Sequence, residues 1–417
     1  MAKKTTVLLL VLDAVGAETL DYLLDRYPGK LKLPNLSRLG LGRIVAPRHR
    51  GRLGRDGKRT CAMRIKQASA SADSVIGHRE MVGIVDPSTY ELFPNGFRRD
   101  FIAALEKRIG RKTIFNKMCG GIEAIELNAA EHERTGFPIV YASKCDPLVQ
   151  IAMNEAVIPV KQQHAIADMA FELAREMGLP ITRVIARAYV RAPDGEIVRT
   201  ANRHDTVLPM RGQTLVDVLN ARDVWTVAVG KTSDLVNTTY NEKIKLTRPS
   251  FLDPDLGLRF MHEKKKDTNP YNIQGTVNAL AAAAAVYRPA GTFVFTNLVD
   301  GDSLYGHTRD VPGGLRGLEG VDLALPLIEK NMRKGDLLII TADHGMQHRA
   351  DYGYHNKEEL PLIVERMGCG AELGGIMAGP GNSLCEVGDI AAQALGCAQE
   401  YEAACGFQPD GFHANRP

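Results

Sequence analysis

Three short, largely apolar runs recur along the chain, and acidic or histidine-bearing sequence directly follows each of them. The runs are Val7–Leu12, Thr292–Val299 and Leu337–Thr341. Because they are continuous rather than alternating, they predict strands buried on both faces, as in a parallel sheet. Ligands bind outside the carboxyl ends of the strands in open α/β sheets. The polar residues that follow the three runs therefore predict one common site, although hundreds of residues separate them.

The middle of the chain has a different pattern. Helix-like and strand-like runs lie here, such as Val160–Met177 and Arg183–Val190, without an acidic cluster at a strand end. Turn-rich stretches at 93–96 and 208–212 flank this block. We therefore predict an α/β protein with a discontinuous core, residues 1–90 and 212–417, and a cap domain inserted at residues 91–211.

Composition and charge narrow the classes of function. The 417 residues carry a net charge of only +3, so nucleic acid is not an expected partner. No apolar run approaches the roughly 20 residues that span a bilayer, so no membrane partner is expected. The apolar run that ends at Asp13 has no small-residue cleavage site, and we interpret it as a strand rather than a signal peptide. Seven cysteines without a C-x-x-C pair are typical of reduced thiols, which predicts a cytoplasmic protein.

Carboxylates and imidazoles follow the three predicted strands. They are Asp13 after the first, Asp302 and His307 after the second, and Asp343, His344 and His355 after the third. Mixed Asp and His ligation suits Mn²⁺, Zn²⁺ or Fe, whereas an all-oxygen set would suit Mg²⁺ or Ca²⁺. Six ligands are too many for one catalytic ion with an open position, but two ions about 3.5–4 Å apart would use them. Taken singly, an Asp after a strand is most often a helix cap, so the joint placement carries the metal hypothesis.

Ser74 is the candidate nucleophile. It ends the stretch Ser69-Ala-Ser-Ala-Asp-Ser74, just before a helix predicted to begin near Val75. The N-terminus of a helix offers free N–H groups to a phosphate, and a metal or a base can activate a serine hydroxyl. Small polar residues before a helix are usually caps, so Asp73 or Ser74 could serve only in that role.

A phosphate also needs cationic partners, and arginine is well suited to bind it in a bidentate manner. The candidates are Arg187, Arg203 and Lys231, each of which would by itself be interpreted as a surface charge. The chain has no P-loop, and its glycine-rich region at 368–381 lacks the spacing of a dinucleotide fingerprint. A nucleotide-driven kinase and a nicotinamide enzyme are therefore disfavoured.

Taken together, these stretches resemble the phosphopentomutase family of the alkaline phosphatase superfamily. The resemblance covers most of the chain from Val7 to about Leu395. It rests on segments that include Val11–Asp13, Gly77–Met81, Phe93–Phe97, Gly136–Tyr141, Asn202–Arg203, Phe295–Asp310 and Ile339–Gly345. It implies an alkaline-phosphatase-like, doubly wound core sheet with an inserted α+β cap. It also implies an isomerase of nucleoside metabolism that interconverts ribose or deoxyribose 1-phosphate and 5-phosphate.

The resemblance further implies a role for each site residue. Two Mn²⁺ ions are expected, with Zn²⁺ as the alternative metal. Asp13, Asp343, His344 and the Ser74 hydroxyl would hold one ion, and Asp302, His307 and His355 the other. Ser74 would carry the phosphoryl group. Asp146, Arg187 and Arg203 of the cap, with Lys231 of the core, would contact the sugar phosphate, and a sugar bisphosphate is an expected activator.

This sequence departs from the family pattern near the nucleophile. The family has Ser-Ala-Gly-Lys-Asp-Thr, so Ser74 replaces a threonine and Ala72 replaces a lysine. The loop at 142–145 is one residue longer, residues 345–348 replace Gly-Asn-Asp, and the segment 47–64 is unusually rich in arginine. Two alternatives to a mutase therefore stay open. One is a phosphatase, or a phosphonate or phosphodiester hydrolase, with a substrate from a specialised pathway, and the other is a metal-binding scaffold without turnover.

Overall fold

The structure, a computed structural model, describes residues 5–26, 32–51, 53, 60–200, 202–246, 267–348, 353–369, 373, 376 and 378–405. It divides into two compact units, one within residues 1–88 and 210–417 and the other within residues 89–209. We call the first the core unit and the second the inserted unit. The cap range from the sequence analysis, 91–211, differs from the inserted unit by two residues at each end. Parts of the arginine-rich segment (52 and 54–59) and residues 406–417 lie outside the described residues.

A seven-stranded sheet lies at the centre of the core unit. In sheet order its strands are β10 (Glu242–Ile244), β9 (Trp225–Val229), β11 (Thr292–Leu298), β1 (Thr6–Leu12), β12 (Leu337–Thr341), β15 (Leu360–Arg366) and β2 (Thr60–Ile65). The first five run parallel, β15 is antiparallel to β12, and β2 is antiparallel to β15. The prediction of three buried parallel strands is confirmed, because β11, β1 and β12 are neighbours and are buried throughout.

Helices cover both faces of this sheet. Alternate residues of β1 enter two hydrophobic clusters, with Val7, Leu9 and Val11 in one and Leu8, Leu10 and Leu12 in the other. The first cluster includes α8 (Leu215–Ala221), α12 (Cys385–Leu395) and α13 (Ala398–Cys405), and the second includes α1 (Ala17–Arg26), α2 (Pro34–Arg38), α10 (Asn269–Ala285) and α11 (Val311–Lys330). Burial on both faces explains why the strand is apolar at every position.

Short elements complete the described part of the core unit. They are α3 (Pro47–Arg50), α4 (Ser74–Glu80), α9 (Thr232–Leu235), a 3₁₀ turn at Leu41–Arg43, a π-helical turn at Gly301–Gly306, and a hairpin of β13 (Gly345–His348) and β14 (Gly353–Asn356). None of the seven cysteines, all of which lie within the described residues, forms a disulfide. Among the described residues, no helix is both long and apolar enough to span a bilayer.

The inserted unit has a mixed sheet with helices on it. Its strands are β3 (Ile114–Met118), β4 (Ile139–Ala142), β5 (Leu148–Asn154), β6 (Arg183–Arg191) and β7 (Ile197–Arg199) in sheet order, with β8 (His204–Val207) also paired to β6. Its helices are α5 (Arg99–Ile109), α6 (Gly121–Thr135) and α7 (Val160–Glu176). One hydrophobic cluster joins α5 and α7 to the sheet, and another joins α6 to it. The predicted helix-like and strand-like runs of the middle are α7 and β6.

Candidate metal centre

The core unit brings all six predicted metal ligands together at the carboxyl ends of three neighbouring strands. Asp13 follows β1, and Asp302 and His307 lie in and just after the π-helical turn that follows β11. Asp343 and His344 follow β12, and His355 lies in β14. The six side chains are at most 9% exposed. The cluster is therefore removed from bulk water, and an uncompensated charge is costly in such a buried site.

One group of potential ligand atoms consists of Asp302, His307 and His355, whose atoms all lie within 4.8 Å of one another. Asp302 Oδ1 lies 2.8 Å from His307 Nε2 and 3.0 Å from His355 Nε2. His307 Nδ1 lies 3.0 Å from the carbonyl oxygen of Gly353, an arrangement in which Nδ1–H donates and Nε2 keeps its lone pair. Burial tends to raise the pKa of Asp302, but the two imidazoles hold it well below its ordinary value. A lone pair that faces a carboxylate at this distance needs a proton or a cation between the two atoms.

A second group consists of Asp13, Asp302 and His344, again within 4.8 Å of one another. His344 Nε2 lies 3.5 Å from Asp13 Oδ1 and 3.6 Å from Asp343 Oδ2. The resemblance implied Asp343, rather than Asp302, beside Asp13 and His344. Asp302 therefore belongs to both groups, and Asp343 lies beside the second group, 3.6 Å from His344.

The carboxylate of Asp13 lacks enough compensation for its charge. Burial raises its pKa well above the ordinary value, and the nearby Asp343 and Asp302 raise it further. Lys231 and the hydrogen bond from Asn297 act in the opposite direction. Its Oδ1 accepts no hydrogen bond from any described residue. A buried anion with a free oxygen among imidazole nitrogens fits a divalent ion that takes mixed nitrogen and oxygen ligands.

His344 presents an unprotonated nitrogen to the same space. Its Nδ1 lies 3.0 Å from the carbonyl oxygen of Gly345, so Nδ1–H donates there and Nε2 holds the lone pair. Burial lowers the pKa of His344, which favours the neutral imidazole. Neutral imidazole with an oriented ring is the form that ligates metals.

The structure separates the roles of Asp73 and Ser74, which the sequence left open. Asp73 is the N-cap of α4, and its side chain accepts a 2.8 Å hydrogen bond from the amide of Val75. Ser74 is the first residue of the helix, and its Oγ lies 3.2 Å from His344 Nε2. The cap is therefore Asp73, and the hydroxyl of Ser74 faces the ligand cluster instead.

Gly77 lets α4 approach the end of β12. A Cβ at this position would overlap the carbonyl oxygen of Asp343. Only glycine permits so close an approach, and the approach places Ser74 one helical turn away beside the ligands. The glycine of the segment Gly77–Met81 thus has a packing reason.

Two residues that contact the ligand cluster, Asn297 and His78, were not predicted as site residues from the sequence. Asn297 Nδ2 donates a 2.9 Å hydrogen bond to Asp13 Oδ2 and lies 2.9 Å from His78 Nε2. The acceptor role of Nε2 leaves the His78 proton on Nδ1, which lies 2.9 Å from the carbonyl oxygen of Ser74 and 3.2 Å from Asp343 Oδ2. Two sequence signals could have identified them, namely a polar residue inside the apolar run of β11 and a histidine beside Gly77.

Lys231, predicted as a sugar-phosphate contact, belongs to the core unit and lies at the N-cap of α9. Its positive charge lowers the pKa of Asp13. The structure therefore places it near the ligand cluster, where a cation compensates part of the negative charge.

The other predicted contacts lie in the inserted unit. In β6, Val184 and Ala186 enter the hydrophobic cluster, so the alternation of the strand puts Arg183 and Arg187 on the opposite face. Arg187 Nε donates a 3.2 Å hydrogen bond to Gln150 Oε1. Burial, together with the nearby charges of Arg203 and Arg199, lowers the pKa of Arg187 to about 10.

Two carboxylates accompany these arginines. Asp146 Oδ1 lies 3.3 Å from Arg183 Nη2, and Arg203 binds Asp205 through two nitrogens. Burial acts to raise the pKa of Asp205, but Arg203, Arg183 and Arg187 hold it below its ordinary value. We define the arginine cluster by its four arginines and two aspartates: Arg183, Arg187, Arg199, Arg203, Asp146 and Asp205. Arg183, Arg199 and Asp205 were not predicted as site residues from the sequence, although Arg183 begins the strand-like run 183–190 and Asp205 lies two residues after the segment Asn202–Arg203.

Comparisons with known proteins agree with this chemistry. The Metalloenzyme superfamily model matches residues 5–399. A phosphopentomutase from Pseudothermotoga lettingae is 36% identical over 349 residues, which cover 84% of this chain and 81% of that protein. One from Caldanaerobacter subterraneus is 34% identical over 377 residues, 86% of each chain. The solved alkaline phosphatase of the Antarctic bacterium TAB5 aligns with 95% of this chain and 99% of its own, at 14% identity and a TM-score of 0.37. The chain therefore belongs to the phosphopentomutase family of the metalloenzyme superfamily, and it is an isomerase of the intramolecular phosphotransferase kind with an α/β core.

Proposed function

We propose that this protein moves a phosphoryl group between the C1 and C5 oxygens of a pentose, or of a closely related sugar, through a phosphoserine at Ser74. The observation that supports this most directly is the position of the Ser74 hydroxyl. It is the first residue of a helix, lies 3.2 Å from His344 Nε2, and is not used as a helix cap. The names of the curated relatives support the same reaction class.

Two divalent ions would be held by the six carboxylate and imidazole ligands together with the Ser74 hydroxyl. Asp13, Asp343, His344 and the Ser74 hydroxyl would hold one, and Asp302, His307 and His355 would hold the other. When bound, such ions would act as Lewis acids on the phosphoryl oxygens and lower the pKa of the serine hydroxyl. The mixed donor set suits Mn²⁺ and also suits Zn²⁺.

The proposed transfer has two balanced steps. In the first, Ser74 Oγ bonds to phosphorus, the bond from phosphorus to the donor sugar oxygen breaks, and the serine proton ends on that oxygen. In the second, the other sugar hydroxyl oxygen bonds to phosphorus, the bond from phosphorus to Ser74 Oγ breaks, and the proton of that hydroxyl passes to Ser74 Oγ. Asp73 and Gly77 hold the serine in place throughout, because one caps α4 and the other lets it approach the ligands.

The arginine cluster would bind the sugar phosphate. Arg187 and Arg203 would contact the sugar phosphate, since guanidinium groups pair with phosphate in a bidentate manner. Asp146 would accept a hydrogen bond from a sugar hydroxyl, and Lys231 would contact the transferring group from the core unit.

A second candidate is a hydrolase that uses the same core. Ala72 is the observation that motivates it, because the family has a lysine at this position. A missing cation near the transferring phosphoryl would weaken charge stabilisation in the transition state. Water that reached the phosphoserine would then release free phosphate.

Phosphorus NMR separates these functions. The protein would be incubated with Mn²⁺, ribose 5-phosphate and a catalytic amount of a sugar bisphosphate. A ribose 1-phosphate signal without growth of free phosphate is the expected result. Growth of free phosphate would support the hydrolase instead. If no phosphorylated sugar or phosphonate in a screen is converted, the protein is a metal-binding scaffold and the proposal is wrong.

A further inference from the structure

Glu358 is a buried carboxyl group outside the six predicted ligands. It lies between β14 and β15 and is 7% exposed. Its Oε1 accepts hydrogen bonds from the hydroxyl of Thr19 at 2.7 Å and from the amide of Thr19 at 3.2 Å. The Thr19 hydroxyl in turn accepts a 3.0 Å hydrogen bond from the amide of Met346. One carboxyl group thus connects three chain segments.

Each of these segments carries a predicted metal ligand close to the connection. Thr19 lies in α1, six residues after Asp13, and Met346 lies in β13, two residues after His344. Glu358 itself follows His355 by three residues. A neighbouring backbone bond, from the amide of Ala17 to the carbonyl oxygen of Glu359 at 2.8 Å, joins the first and last segments as well.

Two glycines leave room for the carboxyl group. A Cβ at Gly16 would overlap the Glu358 side chain, and so would a Cβ at Gly345. Both glycines flank the ligand loops, three residues after Asp13 and one residue after His344. The space between the loops is therefore shaped around this one side chain.

We propose that Glu358 is a positioning residue that holds the loops of Asp13, His344 and His355 in the arrangement that binds the metal ions. This inference rests on the proposed metal centre of the preceding section. Groups that orient the ligands contribute to metal affinity although they never touch the ion, and their loss commonly weakens affinity about 10- to 100-fold.

The test measures Mn²⁺ binding directly, by isothermal titration calorimetry on the metal-free protein. Glu358→Ala is expected to weaken Mn²⁺ affinity about 10- to 100-fold. Glu358→Gln is expected to bind like the wild type, because the amide oxygen still accepts from Thr19. An unchanged affinity and stoichiometry in Glu358→Ala would overturn the proposal, as would equal losses in the Ala and Gln variants.

Glu359→Ala is the matched control. Its side chain lies 3.2 Å from Arg64 and is 42% exposed, and only its backbone carbonyl reaches α1. It is expected to leave Mn²⁺ affinity unchanged, and a loss equal to that of Glu358→Ala would overturn the specific role of Glu358. If Glu358→Ala does not fold, Thr19→Val decides, since it removes the hydroxyl with little change in shape. Thr19→Val is then expected to weaken affinity about tenfold, and unchanged affinity would contradict the proposal.

Gly345→Ala adds a test of geometry. Alone it should weaken Mn²⁺ affinity, because the new methyl group displaces the carboxyl group. In a Glu358→Ala background it should add no further loss, since the atoms that it would overlap are gone. Strictly additive losses would argue against the shared space. Wild-type protein that binds neither Mn²⁺ nor Zn²⁺ would overturn the metal centre itself, whereas wild-type binding with unaffected variants would overturn only this inference.

Discussion

The ligand cluster of the core unit and the arginine cluster of the inserted unit have charge imbalances of opposite sign. In the core unit, three carboxylates with at most 9% exposure share their surroundings with imidazoles and one lysine. In the inserted unit, four arginines accompany two aspartates. The first cluster lacks positive charge and the second lacks negative charge. Divalent cations would balance one, and a phosphate ester would balance the other.

The two clusters also differ in burial, and this difference determines how strongly their uncompensated charges destabilise the folded protein. An uncompensated charge at Asp13 is fully buried, so its repulsion by neighbouring carboxylates is weakly screened. Arg203 is 36% exposed and has its own carboxylate partner, so solvent and Asp205 screen its charge. Changes in the core cluster should therefore alter both stability and metal binding, whereas changes in the arginine cluster should alter mainly substrate affinity.

The largest expected effect is that of Ser74→Ala. Without the hydroxyl no phosphoserine can form, so turnover should fall by at least about 10³-fold. Mn²⁺ binding should persist, because the six carboxylate and imidazole ligands stay in place. Turnover by phosphorus NMR and phosphoprotein by intact mass spectrometry are the measurements. Ser74→Thr, which carries the hydroxyl of the family pattern, should keep the activity. Phosphoprotein in the alanine variant would place the nucleophile elsewhere.

The next effect is a pH dependence of the metal-free protein. Burial raises the pKa of Glu358 to about 7 from an ordinary 4.5, with Glu18 adding to the rise and the Thr19 hydrogen bonds opposing it. A carboxyl group with a raised pKa stabilises the fold below its unfolded pKa and loses that contribution as the pH rises through the folded value. About 3 kcal/mol should therefore be lost between pH 4.5 and 8.

Urea unfolding at several pH values measures this loss, and Glu358→Gln is the reference because the amide does not titrate. The difference in unfolding free energy between wild type and Glu358→Gln should change by about 3 kcal/mol across the range. A constant difference would show that Glu358 has an ordinary pKa in the folded protein.

Asp13→Asn should have opposite effects on stability and binding. Removal of a buried charge that its neighbours repel should stabilise the metal-free protein by about 2 kcal/mol at neutral pH. The same change should weaken Mn²⁺ binding, because an amide oxygen is a poorer ligand than a carboxylate. Thermal unfolding with a chelator and calorimetric titration with Mn²⁺ give the two numbers. If the metal-free variant is less stable than the wild type, the charge imbalance proposed for the core cluster is wrong.

The smallest expected effect is in the inserted unit. Arg187→Met should raise the KM for the sugar phosphate about tenfold, with little change in kcat and no loss of stability. Stability should hold because burial and the nearby Arg203 and Arg199 disfavour the charge of Arg187. Steady-state kinetics and thermal unfolding are the measurements. Arg191→Met is the control, since Arg191 lies on the same strand and pairs with Glu133 at 3.1 Å. Equal KM values for both variants would contradict the assignment of the arginine cluster.

The fold of the core unit was largely predictable because burial constrains sequence. A strand covered on both faces has to be apolar at every position, so β1, β11 and β12 were recognisable from their composition alone. Their acidic and histidine-bearing ends were recognisable too, because few strand ends carry such residues together. The family followed from these segments and their order along the chain.

The sequence by itself determined which groups with metal-binding and phosphate-binding chemistry the chain carries. The tertiary structure decided which of them meet. It alone assigned the cap to Asp73 and left the Ser74 hydroxyl beside His344, since both residues look alike before a helix. It also brought His78 to Asn297 across 219 residues and Glu358 to Thr19 across 339. Such contacts depend on strand order and close packing, and no local pattern of hydrophobic and polar residues encodes either one.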